Sequence, residues 1–333
     1  MTTPFQTVFF DIVGFCNGKC PYCISGSSCK HKGEWISPEN FEATIKMLLS
    51  INAIDQTSAI GLYNWGEPFL YQKLDGIVEV MNKYKLKYSF STNASNIPNI
   101  SPNLVRGLDQ IYFSMSGFSQ ASYNRIHGFK FEKICSNIKQ IVTSLRKHGY
   151  RGKITILFHI YQFNLNEIKA CHDFAQKIGI EFKPYFAILN NWNELVDYQN
   201  NRSTSDKLKK YSQDLFLFDF DEKIRNAPLN YKCPQWECLV LDEESNVLTC
   251  CQVPKYDNRY IVGNVLKDPI DEIMKKKRVC AVCKECVGSG LAYYLNTSLA
   301  CPEFYPHITT GISTIKLVKT IMTRIKNKIA FFK

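Results

Sequence analysis

The sequence predicts an α/β protein in which a parallel sheet is covered by helices and followed by a smaller cysteine-rich domain. Over the first 190 residues, short runs of β-branched and aromatic residues alternate with longer segments of helical spacing. Such alternation, with strands that are apolar along most of their length, is typical of parallel sheets. The alternation stops near residue 190, and eight of the fourteen cysteines lie between Cys233 and Cys301, which indicates a second domain.

Six strands are predicted in the first part of the chain, at residues 7–13, 59–64, 87–92, 110–115, 153–160 and 180–186. Between them, apolar residues recur at helical spacing over 38–51, 74–84 and 131–149, which predicts three long helices. The periodicity does not distinguish an open sheet from one curled into a barrel.

Composition narrows the class of protein. The chain has 333 residues, of which 45% are hydrophobic, enough for a large globular domain. No run of eighteen uncharged apolar residues occurs, and residues 1–15 lack the basic start of a signal peptide. We therefore expect a cytoplasmic protein, where clustered cysteines bind metal more often than they form disulfides.

The net charge of +11 is concentrated in the last 22 residues, which carry six basic residues and no acidic one. Because the charge is not spread over the chain, no nucleic-acid partner is expected. Apolar residues in this tail recur at helical spacing from Ile312 to Phe332, so a basic amphipathic helix is predicted within 306–333. Such a helix packs on its own domain, docks on a partner, or lies on an anionic membrane at the inner face.

The segment after the first strand places Cys16, Cys20 and Cys23 in the spacing C-x3-C-x2-C. This loop lies at the carboxyl end of a strand, where parallel α/β sheets place their active sites. Structural zinc usually has four protein ligands, so three cysteines favour an iron–sulfur cluster with one iron open to a substrate or cofactor. The alternative is a zinc loop completed by Cys29 or His31.

The loop resembles the signature of the radical S-adenosylmethionine superfamily, which has an aromatic residue before the last cysteine, here Tyr22. The resemblance covers about 190 residues and implies a partial (β/α)6 barrel that binds a catalytic 4Fe–4S cluster and S-adenosylmethionine. In that family an external reductase, of flavodoxin or ferredoxin type, supplies one electron. The cofactor is then cleaved to a 5′-deoxyadenosyl radical, which abstracts hydrogen from the substrate.

Further strand ends match motifs of the same family. Trp65, Gly66, Glu67 and Pro68 are similar to its GGEP-like turn, which holds the amino group of the cofactor, and Glu67 matches that role. The third strand ends in a sequence similar to the S-T-N-G turn. Ser89, Ser91 and Asn93 share one face of that strand, as Tyr112, Ser114 and Ser116 do on the next, which predicts a polar lumen. The residues predicted to bind the cofactor are Tyr22, Gly66, Glu67, Pro68, Ser91, Asn93 and Ser114.

Two candidate catalytic residues come from the fifth strand. Alternation places His159 and Tyr161 on one face with Thr155 and Leu157, which predicts that both reach the substrate pocket. The alternative for His159 is a core histidine with satisfied hydrogen bonds.

The second cysteine cluster begins with Cys233 and Cys251, which flank a hairpin predicted to turn at residues 242–246. This region resembles the auxiliary-cluster domain called SPASM, or its shorter form called twitch. The resemblance implies one auxiliary 4Fe–4S cluster held by Cys233, Cys251, Cys283 and Cys286. Cys238, Cys250, Cys280 and Cys301 are reserve candidates for ligand exchange or a second cluster. Structural zinc is the alternative, because two cysteine pairs also suit tetrahedral zinc.

The predicted organisation is a barrel core at 1–190, a linker at 191–229, an auxiliary-cluster domain at 230–305 and the basic tail at 306–333. The resemblance implies hydrogen abstraction from a small molecule, sugar or lipid-linked glycan, with net alcohol dehydrogenation or epimerisation as the outcome. Peptide maturases of this branch often carry a leader-binding domain before the barrel. Here the first strand begins within ten residues of Met1, which leaves no space for such a domain. We therefore expect a small molecule or glycan and keep a ribosomal peptide as the alternative substrate. The alternative of another class is a non-catalytic electron carrier or zinc scaffold.

Overall fold

The computed structural model describes residues 3–27, 34–217, 220–255 and 257–297. Within these ranges one mixed sheet contains nine strands. The strands are β1 (Thr7–Phe10), β2 (Ala59–Gly61), β3 (Tyr88–Thr92), β4 (Leu108–Met115), β5 (Lys153–Ile160), β6 (Glu181–Phe186), β7 (Cys238–Leu241), β8 (Asn246–Leu248) and β9 (Ile261–Asn264).

The strand order is β6-β5-β4-β3-β2-β1-β7-β8-β9. All neighbours from β6 to β7 are parallel, whereas β8 pairs antiparallel with both β7 and β9. The six predicted strands are therefore present, and the predicted parallel α/β sheet is confirmed. β1 and β2 end three residues earlier than predicted, because the chain after each of them turns into the loops that form the site.

The helices that cover this sheet follow the predicted alternation. In the described residues they are α1 (Ile24–Ser27), α2 (Pro38–Ser50), α3 (Leu74–Lys83), α4 (Pro102–Gly107), α5 (Gln120–Arg125), α6 (Phe131–Lys147), α7 (Ile168–Lys177), α8 (Trp192–Gln199), α9 (Ser205–Asp214), α10 (Phe220–Arg225), α11 (Ile270–Val279), α12 (Ala281–Gly288) and α13 (Leu291–Thr297). The three long predicted helices correspond to α2, α3 and α6. The side chain of Ser37 caps α2 by accepting a hydrogen bond from the Asn40 amide, and Pro38 occupies the first turn.

The predicted hairpin of the cysteine-rich region is also confirmed. The Asp242 carboxylate accepts hydrogen bonds from the amides of Glu244 and Asn246, and Ser245 has a φ of 64°. This left-handed conformation lets the chain reverse between β7 and β8. Because β7 pairs with β1, the hairpin continues the sheet of the first part of the chain.

Two apolar cores support the molecule. One lies between the sheet and its helices and includes the fully buried rings of Phe10, Phe41, Phe90 and Phe113. The other packs Tyr22, Tyr161, Trp192 and residues of α9 and α13 beneath the first cysteine loop. Among the described residues, no helix has the length and apolar character needed to span a bilayer. Cys29, His31, Cys301 and the basic tail lie outside the described residues.

Candidate active site

A cavity of about 200 Å³ lies at the carboxyl ends of the parallel strands, where the sequence predicted the site. It brings together almost all residues predicted for the catalytic site. These are Cys16, Cys20, Tyr22, Cys23, Gly66, Glu67, Ser91, Asn93, Ser114, His159 and Tyr161. Pro68 is buried beneath the turn and does not line the cavity.

The thiols of Cys16 and Cys20 face the same point. A Cβ atom built on Gly18 would lie 3.5 Å from each of their sulfur atoms. The Gly18 amide and the Asn93 side chain both donate hydrogen bonds to the Cys16 sulfur, at 3.4 and 3.6 Å. Burial raises the pKa of Cys16 to about 12, with a further contribution from the Glu67 carboxylate.

The donor set fits a 4Fe–4S cluster. Three thiols line one cavity, and among the described lining residues none is Lys or Arg. Buried thiolates need a compensating positive charge, and bound iron would supply it. Across the described residues, no three His, Cys, Asp or Glu side chains are arranged to hold a single metal ion.

Glu67 joins the turn after β2 to the end of β3. Its carboxylate accepts hydrogen bonds from Thr92 Oγ1 at 2.6 Å, the Asn93 amide at 2.7 Å and the Phe69 amide at 3.0 Å. Burial raises its pKa to about 7, although these three hydrogen bonds act in the opposite direction. A carboxylate has about four acceptor positions, so one stays available to a donor in the cavity.

Of the six residues predicted to form a polar face on β3 and β4, Ser91, Asn93 and Ser114 line the cavity, whereas Ser89, Tyr112 and Ser116 do not. The hydroxyl oxygens of Ser91 and Ser114 are 3.3 Å apart, and both residues line the cavity. Phe90, which alternates with Ser91, is buried in the apolar core behind the strand.

His159 and Tyr185 also line the cavity. The two residues are paired in the parallel register of β5 and β6, and the Tyr185 hydroxyl is hydrogen-bonded to His159 Nε2. Burial lowers the pKa of His159 to about 4 and raises the pKa of Tyr185. Both side chains are therefore uncharged at neutral pH.

His127 lies in the same part of the cavity and is almost fully buried. Burial, with a smaller contribution from nearby His159, lowers its pKa to about 3, and its Nδ1 atom has no hydrogen-bond partner. Sequence reasoning assigned neither Tyr185 nor His127 to the site. The alternation of β6 that places residues 181, 183 and 185 on one face could have found Tyr185.

Tyr22 is fixed from a distant helix. Its hydroxyl donates to the carboxylate of Asp214, which ends α9 and also forms an ion pair with Arg125. Asp214 is almost fully buried, so this pair anchors the ring next to Cys23. The residues are separated by 192 positions in the chain, and no local pattern indicated the contact.

The second cysteine group surrounds a smaller cavity of about 30 Å³. Four thiols line it, those of Cys233, Cys250, Cys283 and Cys286. Cys251, predicted as the hairpin ligand, does not line this cavity, and its sulfur is 3.4 Å from the side-chain oxygen of Gln235. The reserve candidates Cys238 and Cys280 also lie outside the lining.

Polar atoms without partners mark this second cavity. The indole nitrogen of Trp236, the hydroxyl of Thr249 and the amide oxygen of Gln252 are buried without hydrogen bonds. Lys277 is fully buried nearby and donates to the Cys238 carbonyl. Four thiols are the ligand type that both a cubane cluster and zinc use, although, as described, they are not arranged around a single metal ion.

A thiol-lined cavity at the carboxyl ends of a parallel sheet defines an α/β protein built to hold a metal centre beside a substrate pocket. The family model described as the Radical SAM superfamily matches residues 11–175, which include the first cysteine loop and the strands β2 to β5. The chain belongs to this superfamily. It is accordingly an enzyme that uses a 4Fe–4S cluster and S-adenosylmethionine.

Solved structures share its fold. SuiB of Streptococcus suis bound to S-adenosylmethionine superposes with a TM-score of 0.57 at 15% identity, covering 89% of this chain and 75% of SuiB. A histidine-tagged form of anSMEcpe with bound AdoMet gives a TM-score of 0.56 at 14% identity, covering 97% of this chain and 98% of that one. At this identity the similarity shows the fold alone. No curated protein matched the sequence significantly.

Proposed function

We propose that this enzyme holds its catalytic cluster through Cys16, Cys20 and Cys23 and acts on a neutral, hydroxyl-bearing small molecule, sugar or lipid-linked glycan. The observation that carries the proposal is that one cavity is lined both by these three thiols and by the hydrogen-bonded, uncharged pair of His159 and Tyr185. When bound, the cluster and S-adenosylmethionine supply one-electron chemistry that removes a hydrogen atom from a substrate carbon.

The residues proposed to bind the cofactor include Glu67, which can carry a negative charge. Glu67 offers its remaining acceptor position to the ammonium group of the cofactor, a charge-assisted contact. Asn93 is already directed at the Cys16 sulfur, so its amide would orient groups bound next to the cluster. Ser91 and Ser114 add hydroxyl groups that can turn to donate or accept.

The residues proposed to face the substrate, His127 and His159, are polar and uncharged. Burial keeps His127 and His159 neutral, because it lowers both pKa values far below neutral pH. His127 lines the cavity beside His159, and its Nδ1 atom is buried without a hydrogen-bond partner. Tyr161 lines the same cavity, with its ring buried and stacked on Phe163.

Alcohol dehydrogenation removes a hydrogen atom, a proton and one electron: the 5′-deoxyadenosyl radical would take the hydrogen atom and the auxiliary cluster the electron, and His159 with Tyr185 can receive the proton. The Tyr185 oxygen accepts the substrate proton while its own proton passes to His159 Nε2 through the existing hydrogen bond. A neutral imidazole is needed for this transfer, and burial maintains it while also making His159 a weaker base. Epimerisation, which returns hydrogen to carbon, does not use this acceptor.

A peptide substrate is the competing proposal. SuiB was solved with its precursor peptide SuiA, and anSMEcpe with the Cp18Cys peptide. Assays of this enzyme should therefore include peptides beside sugars and glycolipids. Turnover of a peptide and of no hydroxylated small molecule or glycan would refute the substrate class proposed here.

We also propose that the auxiliary centre is a 4Fe–4S cluster held by Cys233, Cys250, Cys283 and Cys286. Cys250 replaces Cys251 of the sequence-based set because its thiol lines the same cavity as the other three. Zinc is the alternative occupant of four thiols, and metal analysis of the purified protein distinguishes the two.

Two partners complete the proposal. An external reductase of flavodoxin or ferredoxin type supplies electrons to a cytoplasmic enzyme. The basic tail, by its sequence pattern, attaches the enzyme peripherally to anionic lipid on the inner face of the membrane. Deleting the chain after Gly311 should release the protein from anionic vesicles, and equal binding by both forms would remove the membrane proposal.

The experiment that tests the function uses anaerobically purified, iron-reconstituted protein. Iron and sulfide per chain are measured, followed by 5′-deoxyadenosine after dithionite and S-adenosylmethionine are added. We expect 5′-deoxyadenosine and about eight irons per chain, four for each cluster. Zinc in place of iron, with no 5′-deoxyadenosine, would refute the proposal.

A further inference from the structure

Asp11 follows β1 and is almost fully buried beside the turn that ends β2. Its carboxylate accepts hydrogen bonds from three consecutive amides, those of Asn64 at 3.0 Å, Trp65 at 2.9 Å and Gly66 at 2.9 Å. The next residue of the turn is Glu67. One carboxylate therefore fixes the main chain that presents Glu67 to the cavity.

Lys255 reaches the same carboxylate from the cysteine-rich region. Its ammonium nitrogen is 3.5 Å from Asp11 Oδ2 and 2.7 Å from Glu243 Oε2, and its side chain is only 8% exposed. Burial alone would lower the pKa of Lys255, but the carboxylates of Asp11 and Glu243 outweigh it and raise the pKa. The amine is therefore a buried cation between two carboxylates.

A second contact joins the same two regions. The indole nitrogen of Trp65 donates to the Val253 carbonyl at 2.9 Å, and the Trp65 side chain is buried. Val253 and Lys255 lie three and five positions after Cys250 in the chain, so a centre bound at Cys250 restrains the segment that holds the turn. These contacts end on the turn at residues 64–66 or on the carboxylate that fixes it; Lys255 Nζ is also 3.5 Å from the Val13 carbonyl, just before the first cysteine loop.

We propose that Asp11, Trp65 and Lys255 are positioning residues through which the occupied cysteine-rich region raises the affinity of the barrel for S-adenosylmethionine. The inference rests on the proposed role of Glu67 in holding that cofactor. Occupancy of the second site, by iron or by zinc, orders residues 250–255, and these hold the turn in its binding conformation. Loss of the second centre would then weaken cofactor binding without altering the first cysteine loop.

The test measures the dissociation constant of S-adenosylmethionine by equilibrium dialysis with reconstituted full-length protein. Trp65→Phe keeps an aromatic ring and removes the donor to Val253, whereas Lys255→Met keeps the stem and removes the charge. Each should bind the cofactor about tenfold more weakly, as expected for loss of one buried or charged hydrogen bond. The KM for the cofactor should rise in proportion while kcat for its cleavage is retained.

Two further variants separate positioning from general damage. Lys255→Arg keeps the cation and should restore most of the affinity lost in Lys255→Met. Glu243 contacts Lys255 and not the turn. Glu243→Gln should therefore weaken cofactor binding less than Lys255→Met does. All four variants should keep the iron and sulfide content of the wild type. The electron paramagnetic resonance signal of the first cluster in the reduced protein should also be unchanged.

The coupling itself is tested with Cys250→Ser. This change should weaken cofactor binding in the wild-type background and have a much smaller effect in a Trp65→Phe, Lys255→Met background, because the connection is already broken. Wild-type affinity in both single variants, or equal effects of Cys250→Ser in the two backgrounds, would overturn the inference. Failure of the wild-type protein to bind S-adenosylmethionine would instead refute the proposed function.

Discussion

The turn at residues 64–67, which we propose binds the cofactor, has no room for a side chain at Gly66, and Gly66→Ala tests this. A Cβ atom there would lie 1.8 Å from the Val13 carbonyl oxygen and 2.8 Å from its carbon. Both are backbone atoms, so relief requires the turn to move by more than about an ångström. The turn and its bonds to Asp11 must shift together.

The size of the effect follows from the contacts that this shift disturbs. The amides of residues 64–66 donate to Asp11 at 2.9–3.0 Å, and loss of one hydrogen bond to a charged group costs about 2 kcal/mol. If the conformation that binds S-adenosylmethionine is destabilised by this amount, the affinity for the cofactor falls about 30-fold. The first cluster should stay bound if the turn moves rather than the cysteine loop; Val13 and Phe15, which contact the turn, lie just before Cys16, so iron analysis distinguishes the two.

The assay is equilibrium dialysis of S-adenosylmethionine with reconstituted protein, together with iron analysis and the thermal unfolding midpoint. The matched control is Gly288→Ala, where a Cβ atom would meet nothing within 4 Å and alanine favours the helix. Equal affinity in Gly66→Ala and wild type would refute the reasoning. Loss of iron together with affinity would place the damage in the cysteine loop and also contradict the prediction.

Three other predictions concern cysteines and His159. Cys20→Ala should abolish formation of 5′-deoxyadenosine, and retained cleavage would show that the catalytic cluster lies elsewhere. Cys250→Ser should remove the metal of the auxiliary centre, while Cys251→Ser should retain it; metal analysis that gave the reverse result would restore the sequence-based ligand set. The pKa of His159 is lowered to about 4 on folding, from about 6.5 in the unfolded chain, so its contribution to stability is present above pH 6.5 and is lost as pH falls toward 4. Between pH 7 and 5 the wild type should lose about 2 kcal/mol of unfolding free energy that His159→Gln does not lose; equal losses in urea unfolding would show that His159 is not buried as a neutral base.

The sequence was informative where a feature is local. Strands β3 to β6 agree with prediction within about two residues, because apolar alternation reports which face of a strand is buried. The cysteine loop and the turn at Glu67 were found for the same reason, since each is a short motif at a strand end. Their predicted roles as ligands stay predictions.

Contacts between distant segments could not be predicted from these patterns. The pairing of β1 with β7 joins residues 7–10 to 238–241, and nothing in either strand encodes that partner. In the sequence, nothing distinguishes Asp214 from other acidic residues of a helix, yet its carboxylate accepts a hydrogen bond from the Tyr22 hydroxyl. Cys250 and Cys251 are adjacent, and motif spacing selected Cys251, whereas side-chain direction places Cys250 in the second cavity.

The distribution of charge inside the main cavity restricts what can enter it. Among the described lining residues, Glu67 and the three thiols are the groups that can carry negative charge, and none carries positive charge at neutral pH. The protein side chains alone offer no cation to a phosphate or carboxylate placed there, and positive charge would come only from a bound cluster or cofactor. Under the proposed function we therefore expect the part of the substrate that reaches His159 to be neutral, a requirement set by these side chains. A lipid-linked glycan satisfies this requirement only if its phosphates stay outside the cavity while a sugar ring enters, and a free sugar or other polyol satisfies it without that condition.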